Sequence, residues 1–418
     1  MIPHIVSYTV SHMEKDMLQE SVYAMDITNL GPIGFSQLAC TYPLPVVKEI
    51  LESHDRATWR MRKLPNELIV YFSMLMSLDR TDSATETVLK MLEDSQTIFG
   101  RQTKGIPGKG GISDARTRVG FEPLKTLFDT CCVPLAKEPT PFTHFQGMPL
   151  FALDGTTINV LDTEANSEFG YSKNQNSHSV NPKMRAVALV ECGTHAVIGV
   201  ELGGYHDSEI TLAHPVIKKI PKNSLITADR LFLGWRLVRA ILKQDAQILW
   251  RVKSSDGESR FEIKERLKDG SYRASYIPPK DRTALKKLEG LDLTPIEVRV
   301  CSYLPYGGKE MVHLVTTLLD ESVAPATKLA ELYMQRWEVE QVFSEMKVCL
   351  NKNEHAMRSQ KPDLVKQEFY GLVTMHYSIR ALMYEAATRS RIDPDLISFK
   401  GAVKTIDRKL LKSGVFSP

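Results

Sequence analysis

Residues 333–347 carry four chemically distinct polar side chains at helical spacing. The segment reads Y-M-Q-R-W-E-V-E-Q-V-F-S-E-M-K, and the four are Tyr333, Arg336, Glu340 and Lys347. Because an α-helix advances about 100° per residue, intervals of three, four and seven residues predict that all four share one narrow helical face. An adjacent apolar stripe would pack this helix on a hydrophobic core. That stripe consists of Leu332, Val339, Phe343, Met346 and Leu350.

A carboxylate flanked by cationic side chains suits a metal ion and a polyanion together, which is what phosphoryl transfer on DNA requires. Taken alone, the pattern also fits an ordinary amphipathic helix with a solvated charged face, and most helices rich in Arg, Glu and Lys are of that kind. Carboxylates elsewhere in the chain decide between the two interpretations.

Composition places the chain among ordinary globular proteins. Its 418 residues are enough for two or three domains, and 43% hydrophobic and 25% charged residues are usual values. A net charge of +3 is compatible with a nucleic-acid partner without requiring one. The six cysteines are scattered and form no C-x-x-C pair, which favours free thiols in a reducing compartment. No secretory signal and no apolar stretch of about 20 residues occurs, so we expect a cytoplasmic protein.

Residues 1–140 are predicted to be mainly helical. Apolar spacing indicates helices over residues 45–54, 66–78 and 84–92. A basic, glycine-rich stretch at 101–118 leads into a short helix that Ser113 would cap and that would present Arg116, followed by a second helix at 123–131. This pattern is typical of a helix-turn-helix reader of DNA, and a basic surface loop fits it equally well.

After a proline-punctuated linker the pattern changes to strands. Runs at 150–160, 185–191 and 196–202 predict an antiparallel meander. Further elements are then expected: a helix at 209–220, a buried strand at 224–227, a helix at 235–243 and a strand at 246–252. Residues 253–325 are strand-and-loop material that resembles an insertion, and a long helix is predicted over 363–388.

Two further carboxylates lie where a site is expected. Asp154 lies within an apolar strand, L-F-A-L-D-G-T, where an uncompensated aspartate is costly. Asp229 follows L-I-T-A at a strand's C-terminal end, the edge where α/β sheets tend to place their sites. With Glu340 they offer only oxygen ligands, which favour Mg²⁺ or Mn²⁺ over Zn²⁺. A competing zinc site matches no zinc spacing well. It would use Cys192, His195, His206 and His214.

With these residues the chain resembles a DDE transposase of the bacterial insertion-sequence-four family. Its signature, Y-x2-R-x3-E-x6-K, is met by the segment at 333–347. The D-G-T block of the family begins at Asp154 and is followed by Asp162, Thr163, Asn166, Phe169 and Gly170, and A-D-R places Asp229 before Arg230. The resemblance runs from about residue 109 to residue 407.

The resemblance implies an α/β fold with an RNase H-like catalytic core at 148–350. A β-rich insertion at 253–325 would interrupt this core, a helical DNA-end-binding domain at 1–140 would precede it, and a helical region at 351–418 would follow. The implied metal ligands and catalytic residues, for two Mg²⁺ or Mn²⁺ ions, are Asp154, Asp229 and Glu340. The expected DNA contacts are Tyr333, Arg336, Lys347, Arg230 and Arg116.

The implied function is a DNA transposase that binds the terminal inverted repeats of its element, cleaves the ends and joins them to target DNA. It would act as a homodimer on paired ends and associate with the nucleoid when bound to DNA. The alternatives are a DDE nuclease without strand transfer and a transposase-derived DNA-binding protein. Relatives that form a DNA hairpin use a tryptophan near the place of Val312. Either the hairpin step is absent here, or Tyr303 or Tyr306 serves instead.

Overall fold

A computed structural model describes the chain at residue 38 and over residues 41–59, 63–78, 108–140, 142–174, 177–252, 260–305, 310–350 and 356–413. In these parts a mixed β-sheet is flanked by helices that come from both ends of the chain. The predicted helix at 84–92, residues 101–107 of the basic stretch and Tyr306 lie outside the described residues.

Four helices precede the sheet in the described part. They are α1 (Leu44–Ser53), α2 (Asn66–Leu75), α3 (Lys109–Val119) and α4 (Glu122–Cys131). Gly120 separates α3 from α4 with a φ of 72°, a left-handed conformation that glycine adopts without strain. The two successive helices therefore form as predicted. The predicted cap is wrong, since α3 begins after Gly108 and contains Ser113.

The centre of the sheet combines an antiparallel meander with parallel strands. Its strands are β1 (His144–Phe145), β2 (Met148–Asn159), β5 (Lys183–Glu191), β6 (Ala196–Gly204), β7 (Leu225–Ala228) and β8 (Gln247–Val252). A separate small hairpin consists of β3 (Lys173–Asn174) and β4 (Ser177–His178). The strand order is β6-β5-β2-β7-β8, with β2, β5 and β6 antiparallel and β7 parallel to both β2 and β8. The predicted meander is confirmed.

Two helices follow the meander where the sequence predicts them. These are α5 (Glu209–Val216), which packs on β5 and β6, and α6 (Trp235–Leu242). The buried faces of the strands and these helices consist mainly of Val, Ile, Leu and Ala. An apolar core on both faces of β2 holds the strand ends of β2 and β7 in fixed positions.

The predicted insertion contributes strands to the same sheet. It contains β9 (Phe261–Arg266), β10 (Tyr272–Tyr276), α7 (Arg282–Lys286), β11 (Ile296–Tyr303) and β12 (Val312–Thr316). The order continues β8-β12-β11-β10-β9, and all these pairs are antiparallel. Since β12 pairs directly along β8, the block at 253–325 is continuous with the core sheet, and its boundaries as a domain stay a prediction.

The segment at 333–347 is not the single α-helix that its spacing predicts. It divides into α8 (Ala326–Met334), α9 (Trp337–Ser344) and a π-helical turn (Glu345–Leu350). At the break, the backbone N–H groups of Gln335, Arg336 and Glu338 bond to carbonyls three residues back rather than four. The continuous helix is therefore a wrong prediction, and the break lies at Arg336.

Two helices complete the described chain, α10 (Pro362–Ser390) and α11 (Phe399–Ser413). Most of α10 is buried, and it packs against α2, α4 and β6. At Gly371, α10 comes so close to α2 that a built Cβ would lie 2.1 Å from the Ser73 carbonyl oxygen. Within the described residues, none of the helices has the length and apolarity needed to cross a membrane. The α/β class with flanking helices is confirmed.

Candidate active site

Two of the predicted carboxylates, Asp154 and Asp229, lie at neighbouring positions where two paired strands run side by side. Leu153 of β2 is the register partner of Ala228 of β7, so Asp154 and Asp229 come next on each strand. Adjacent strands lie about 4.8 Å apart, and the two side chains therefore start from neighbouring backbone. The Asp229 carboxylate accepts a hydrogen bond from the backbone N–H of Arg230, which turns the chain into the 3₁₀ helix Arg230–Phe232.

Arg336 links the first and third predicted carboxylates. Its Nη1 donates to Oδ2 of Asp154 at 2.9 Å, and its Nη2 donates to Oε1 of Glu340 at 3.0 Å. The Arg336 and Asp154 side chains are 12% and 17% exposed, whereas Glu340 is 43% exposed. Asp154 and Glu340 therefore lie within the reach of one guanidinium group, at a site open to solvent on the Glu340 side.

The electrostatic environment of Asp154 disfavours an isolated negative charge. Burial raises the pKa of Asp154 to about 6, and the charges of Asp229 and Glu209 act in the same direction. The Gly155 backbone N–H and the Arg336 guanidinium act against that rise. Several carboxylates are thus close enough to repel one another, and a cation between them lowers their energy.

Glu209 is a fourth carboxylate at this site, and sequence reasoning missed it. A Cβ built on Gly155 would lie 2.6 Å from Cδ of Glu209, so Glu209 occupies the space that a side chain at 155 would need. Arg185 forms an ion pair with Glu209 and also donates to the carbonyl oxygen of Tyr205 at 3.0 Å. No local pattern marks Glu209, because its approach depends on how α5 packs on the meander.

Tyr333 and Lys347 reach the same strands from the two ends of the broken helix. The Tyr333 hydroxyl donates to the carbonyl oxygen of Ala228 at 3.4 Å, and burial raises the pKa of this phenol. Lys347 donates to Oγ1 of Thr156, and burial lowers the pKa of its ammonium group. The structure therefore gathers all four residues of the signature around β2 and β7, although the helix between them is not continuous.

An aromatic side chain from the inserted block also lies beside the site. Tyr303 of β11 is the register partner of Val312 on β12, and Val312 is buried. Burial raises the pKa of Tyr303, while the charges of Arg251 and Arg336 act on it in the opposite direction. Tyr303, one of the two aromatic residues named as a substitute for tryptophan, is therefore close to Arg336.

The two other predicted DNA contacts have different surroundings. Arg230 has an exposed side chain directly after Asp229. Arg116 is buried in α3, where its Nε donates to Gln367 at 2.9 Å and its Nη2 donates to Ser359 Oγ and the Leu364 carbonyl at 3.0 Å. The prediction for Arg116 needs correction, because its guanidinium joins α3 to α10 and does not face solvent.

The donor atoms at the site fit a hard divalent cation. Asp154, Asp229 and Glu340 supply carboxylate oxygens only, the ligands that Mg²⁺ and Mn²⁺ prefer. Burial is the main cause of the raised pKa of Asp154, and the charges of Asp229 and Glu209 add to it. This environment and the guanidinium bridge of Arg336 both indicate a place that attracts positive charge. Among the described residues, one group brings three ligand atoms within 4.8 Å of one another, and it is not the group of Asp154, Asp229 and Glu340. These three carboxylates are therefore more widely spaced than the ligands of a closed metal cluster.

That other group consists of His195, Glu338 and Asp395. Burial and the charge of Asp395 raise the pKa of Glu338 to about 8. The competing zinc set of the sequence does not assemble among the described residues. His195 meets carboxylates instead of the other members of that set, which were Cys192, His206 and His214.

Comparison with known families and proteins identifies related sequences over most of the chain. The sequence model described as "Transposase DDE domain" matches residues 145–377, which span the sheet, the inserted strands, α8, α9 and part of α10. A second model, described as "Insertion element 4 transposase N-terminal", matches residues 32–129. The match over 145–377 covers the predicted catalytic core, which has a mixed α/β architecture in the structure.

Individual relatives are similar over long stretches. Transposase InsG for insertion sequence element IS4 of Escherichia coli (strain K12) is 25% identical over 375 residues, covering 89% of this chain and 82% of that protein. Putative transposase InsZ of the same organism is 26% identical over 210 residues, covering 50% of this chain and 68% of that protein. A cryo-EM structure of the piggyBac transposase synaptic complex with hairpin DNA aligns at 14% identity and a TM-score of 0.45. It covers 96% of this chain and 80% of that one.

Proposed function

Because the chain belongs to the transposase DDE-domain family, we propose that it binds the terminal inverted repeats of its own insertion sequence, cleaves the ends and joins them to target DNA. Family membership confirms the resemblance inferred from the D-G-T, A-D-R and Y-x2-R-x3-E-x6-K patterns. The observation that carries the proposal is the bridge from Arg336 to Asp154 and Glu340, next to Asp229 on the neighbouring strand.

Asp154, Asp229 and Glu340 would hold the divalent ions, Mg²⁺ or Mn²⁺, as a pair. When bound, such ions lower the pKa of an attacking hydroxyl group and stabilise the leaving oxygen in an in-line displacement. Arg336 balances the charge of the carboxylates in the structure and presents N–H groups that suit a phosphate oxygen. The hydrogen bond from the Tyr333 hydroxyl to the carbonyl oxygen of Ala228 joins the end of α8 to the end of β7, directly before Asp229.

Lys347 and Arg230 are the proposed contacts to the DNA backbone. Lys347 lies at β2 through Thr156, two residues beyond Asp154, and Arg230 lies exposed beside Asp229. Both place a positive charge next to the proposed catalytic carboxylates, where a phosphate would lie during cleavage. The N-terminal helical region would bind the element ends, and two copies of the chain would pair them.

The test uses DNA that carries both ends of the element encoding this chain, incubated with Mg²⁺. We expect end cleavage and joined products with the wild-type protein, and neither with Asp154→Asn, Asp229→Asn or Glu340→Gln. Glu331→Gln is the matched control, because Glu331 is an exposed glutamate of α8 whose ion pair is with Lys328, three residues earlier on the same helix. Equal cleavage by wild type and Glu340→Gln would show that the site is wrongly assigned.

The same experiment separates the two alternative functions. Cut ends without joined products would indicate a DDE nuclease. A gel shift of the DNA without any cut or joined product, over a range of Mn²⁺ concentrations, would indicate a DNA-binding protein. Lys347→Ala should weaken DNA binding and reduce the slope of log affinity against log salt by about one unit. An unchanged slope would remove Lys347 from the DNA contact.

A further inference from the structure

The opposite side of α9 from Glu340 carries a second cluster of ionisable side chains. Glu338 precedes Glu340 by two residues, so the two project about 200° apart around the helix. Beside Glu338 lie His195, from the turn between β5 and β6, and Asp395, from the 3₁₀ turn Pro394–Leu396 that follows α10. Three segments that are distant in sequence therefore meet at this point.

The distances in the cluster are too long for ordinary hydrogen bonds and short enough for a shared cation. Nε2 of His195 lies 3.6 Å from Oε2 of Glu338 and 3.4 Å from Oδ1 of Asp395. All three atoms lie within 4.8 Å of one another. Hydrogen bonds of this type have lengths of about 2.7–3.2 Å. Ligands at about 2.1 Å from a tetrahedral metal lie about 3.4 Å from one another, which matches these separations.

Two buried polar atoms of the cluster's residues lack hydrogen-bond partners among the described residues. Within the described chain, neither His195 Nε2 nor Glu338 Oε1 has one, although their side chains are only 3% and 6% exposed. The other oxygen of Glu338, Oε2, accepts a hydrogen bond from the backbone N–H of Gly193. An imidazole nitrogen buried without a partner costs free energy that a bound cation would recover.

The surrounding charges leave an excess of negative charge at the cluster. Glu345 also approaches His195, with Oε1 at 3.8 Å from Nδ1, but Arg380 pairs with Glu345 and His376 lies 2.8 Å from its Oε2. Arg380 also contacts Nδ1 of His195. Since Glu345 is already compensated, the carboxyl groups of Glu338 and Asp395 are left facing Nε2 of His195, and a divalent cation would bind them in their deprotonated forms.

We propose that His195, Glu338 and Asp395 form a binding site for a divalent transition metal of the zinc class, with water as a fourth ligand. One imidazole and two carboxylates are donors that Zn²⁺ accepts, whereas Mg²⁺ prefers oxygen alone. Asp395 is 31% exposed and gives the ion a path from solvent. In the structure Arg380 donates to Nδ1 of His195, so a metal bound at Nε2 would require the ring proton to lie on Nδ1, where Glu345 Oε1, 3.8 Å away, would accept it in place of the Arg380 contact. The bound ion would join the β5–β6 turn, α9 and the segment after α10.

The test measures zinc bound to the full-length protein in excess Mg²⁺, which saturates the oxygen-ligand site. After removal of metals with a chelator, Zn²⁺ is titrated and the bound amount is determined by mass spectrometry of the gel-filtered protein. We expect one tightly bound Zn²⁺ per chain, and an affinity at least about 10-fold lower for Asp395→Asn. Asp281→Asn is the control, since Asp281 is an exposed aspartate that caps α7 and lies far from the cluster in sequence.

Glu340→Gln distinguishes this site from the proposed catalytic one. It should retain zinc with unchanged affinity, and Co²⁺ should give the visible absorption of a tetrahedral nitrogen and oxygen site in both wild type and Glu340→Gln. The proposal is overturned by absence of retained zinc in the wild type, by equal zinc affinity of Asp395→Asn, or by loss of zinc in Glu340→Gln. Asp395→Asn changes a partly exposed side chain, so the folded protein remains available for measurement.

Discussion

Gly155→Ala should destabilise the protein and reduce DNA cleavage, because Glu209 occupies the space for the added methyl group. The new Cβ would lie 2.6 Å from Cδ of Glu209 and 2.9 Å from its Cγ and Oε1, whereas ordinary contact begins at 3.4 Å. The two groups must therefore separate by about 0.8 Å. Gly155 follows Asp154 directly, so a shift of this backbone also moves a proposed metal ligand.

The magnitude follows from the two ways in which the clash can be relieved. If Glu209 moves, it weakens its ion pair with Arg185, in which the side chains are 19% and 20% exposed. A hydrogen bond to a charged group contributes about 1.5–3 kcal/mol. If β2 moves instead, it disturbs its pairing with β5 and β7, and overpacking of this kind costs about 1–3 kcal/mol. We therefore expect a loss of about 1–3 kcal/mol.

A double-mutant cycle tests the cause as well as the size of the effect. Glu209→Ala removes the group that collides, so Gly155→Ala should cost at least about 1 kcal/mol less in that background than in the wild type. The free energies come from urea unfolding followed by circular dichroism, with equal m-values required for all four proteins. Additivity of the two substitutions within about 0.5 kcal/mol would refute the steric explanation.

Four further substitutions test the packing that supports the site. Gly371→Ala should cost about 3 kcal/mol in urea unfolding, because its Cβ would lie 2.1 Å from a backbone carbonyl oxygen of α2. Gly110→Ala, with nothing within 4 Å, should be neutral or stabilise by about 0.5–1 kcal/mol. Arg299→Met should cost about 3–5 kcal/mol, since it removes the ion pair of a fully buried arginine with Asp269 and its hydrogen bonds to Ser271 and Ala324. Arg116→Ala should lower the melting temperature while the salt dependence of DNA binding stays unchanged, and a lower slope would restore Arg116 as a phosphate contact.

Local patterns in the sequence are sufficient to predict most strands and the positions of Asp154 and Asp229. The strand around Asp154 is apolar on both faces, and both faces are buried in the structure. Asp229 follows a four-residue strand, Leu225–Ala228, whose residues are all buried. Burial of this kind depends on side chains within a few residues of one another, and therefore a single sequence records it.

Contacts between distant segments account for what the sequence did not predict. Arg116 is a basic residue within a basic stretch, as a DNA-contacting residue would be. Its burial becomes visible only in the structure, where α10 places Gln367 against it. Glu209 carries no local signal, because it meets Gly155 through the packing of α5 on the meander. His195 belonged to the competing zinc set that the sequence disfavoured, and its carboxylate neighbours, Glu338 and Asp395, follow it by more than 140 residues. The sequence therefore shows which types of side chain are present, and it does not show which distant side chains they contact.

The turn at Arg336 sets the geometry of both clusters on α9. Gln335 and Arg336 keep right-handed helical dihedral angles, so α8 runs on into α9 through N–H groups that bond three residues back instead of four. Directly after this turn, the Arg336 guanidinium meets Asp154 and Glu340. Glu338 precedes Glu340 by two residues and lies on the other side of α9, beside His195. One irregular turn thus lies between two clusters of carboxyl groups, and in each of them a bound cation would lower the free energy of the folded chain.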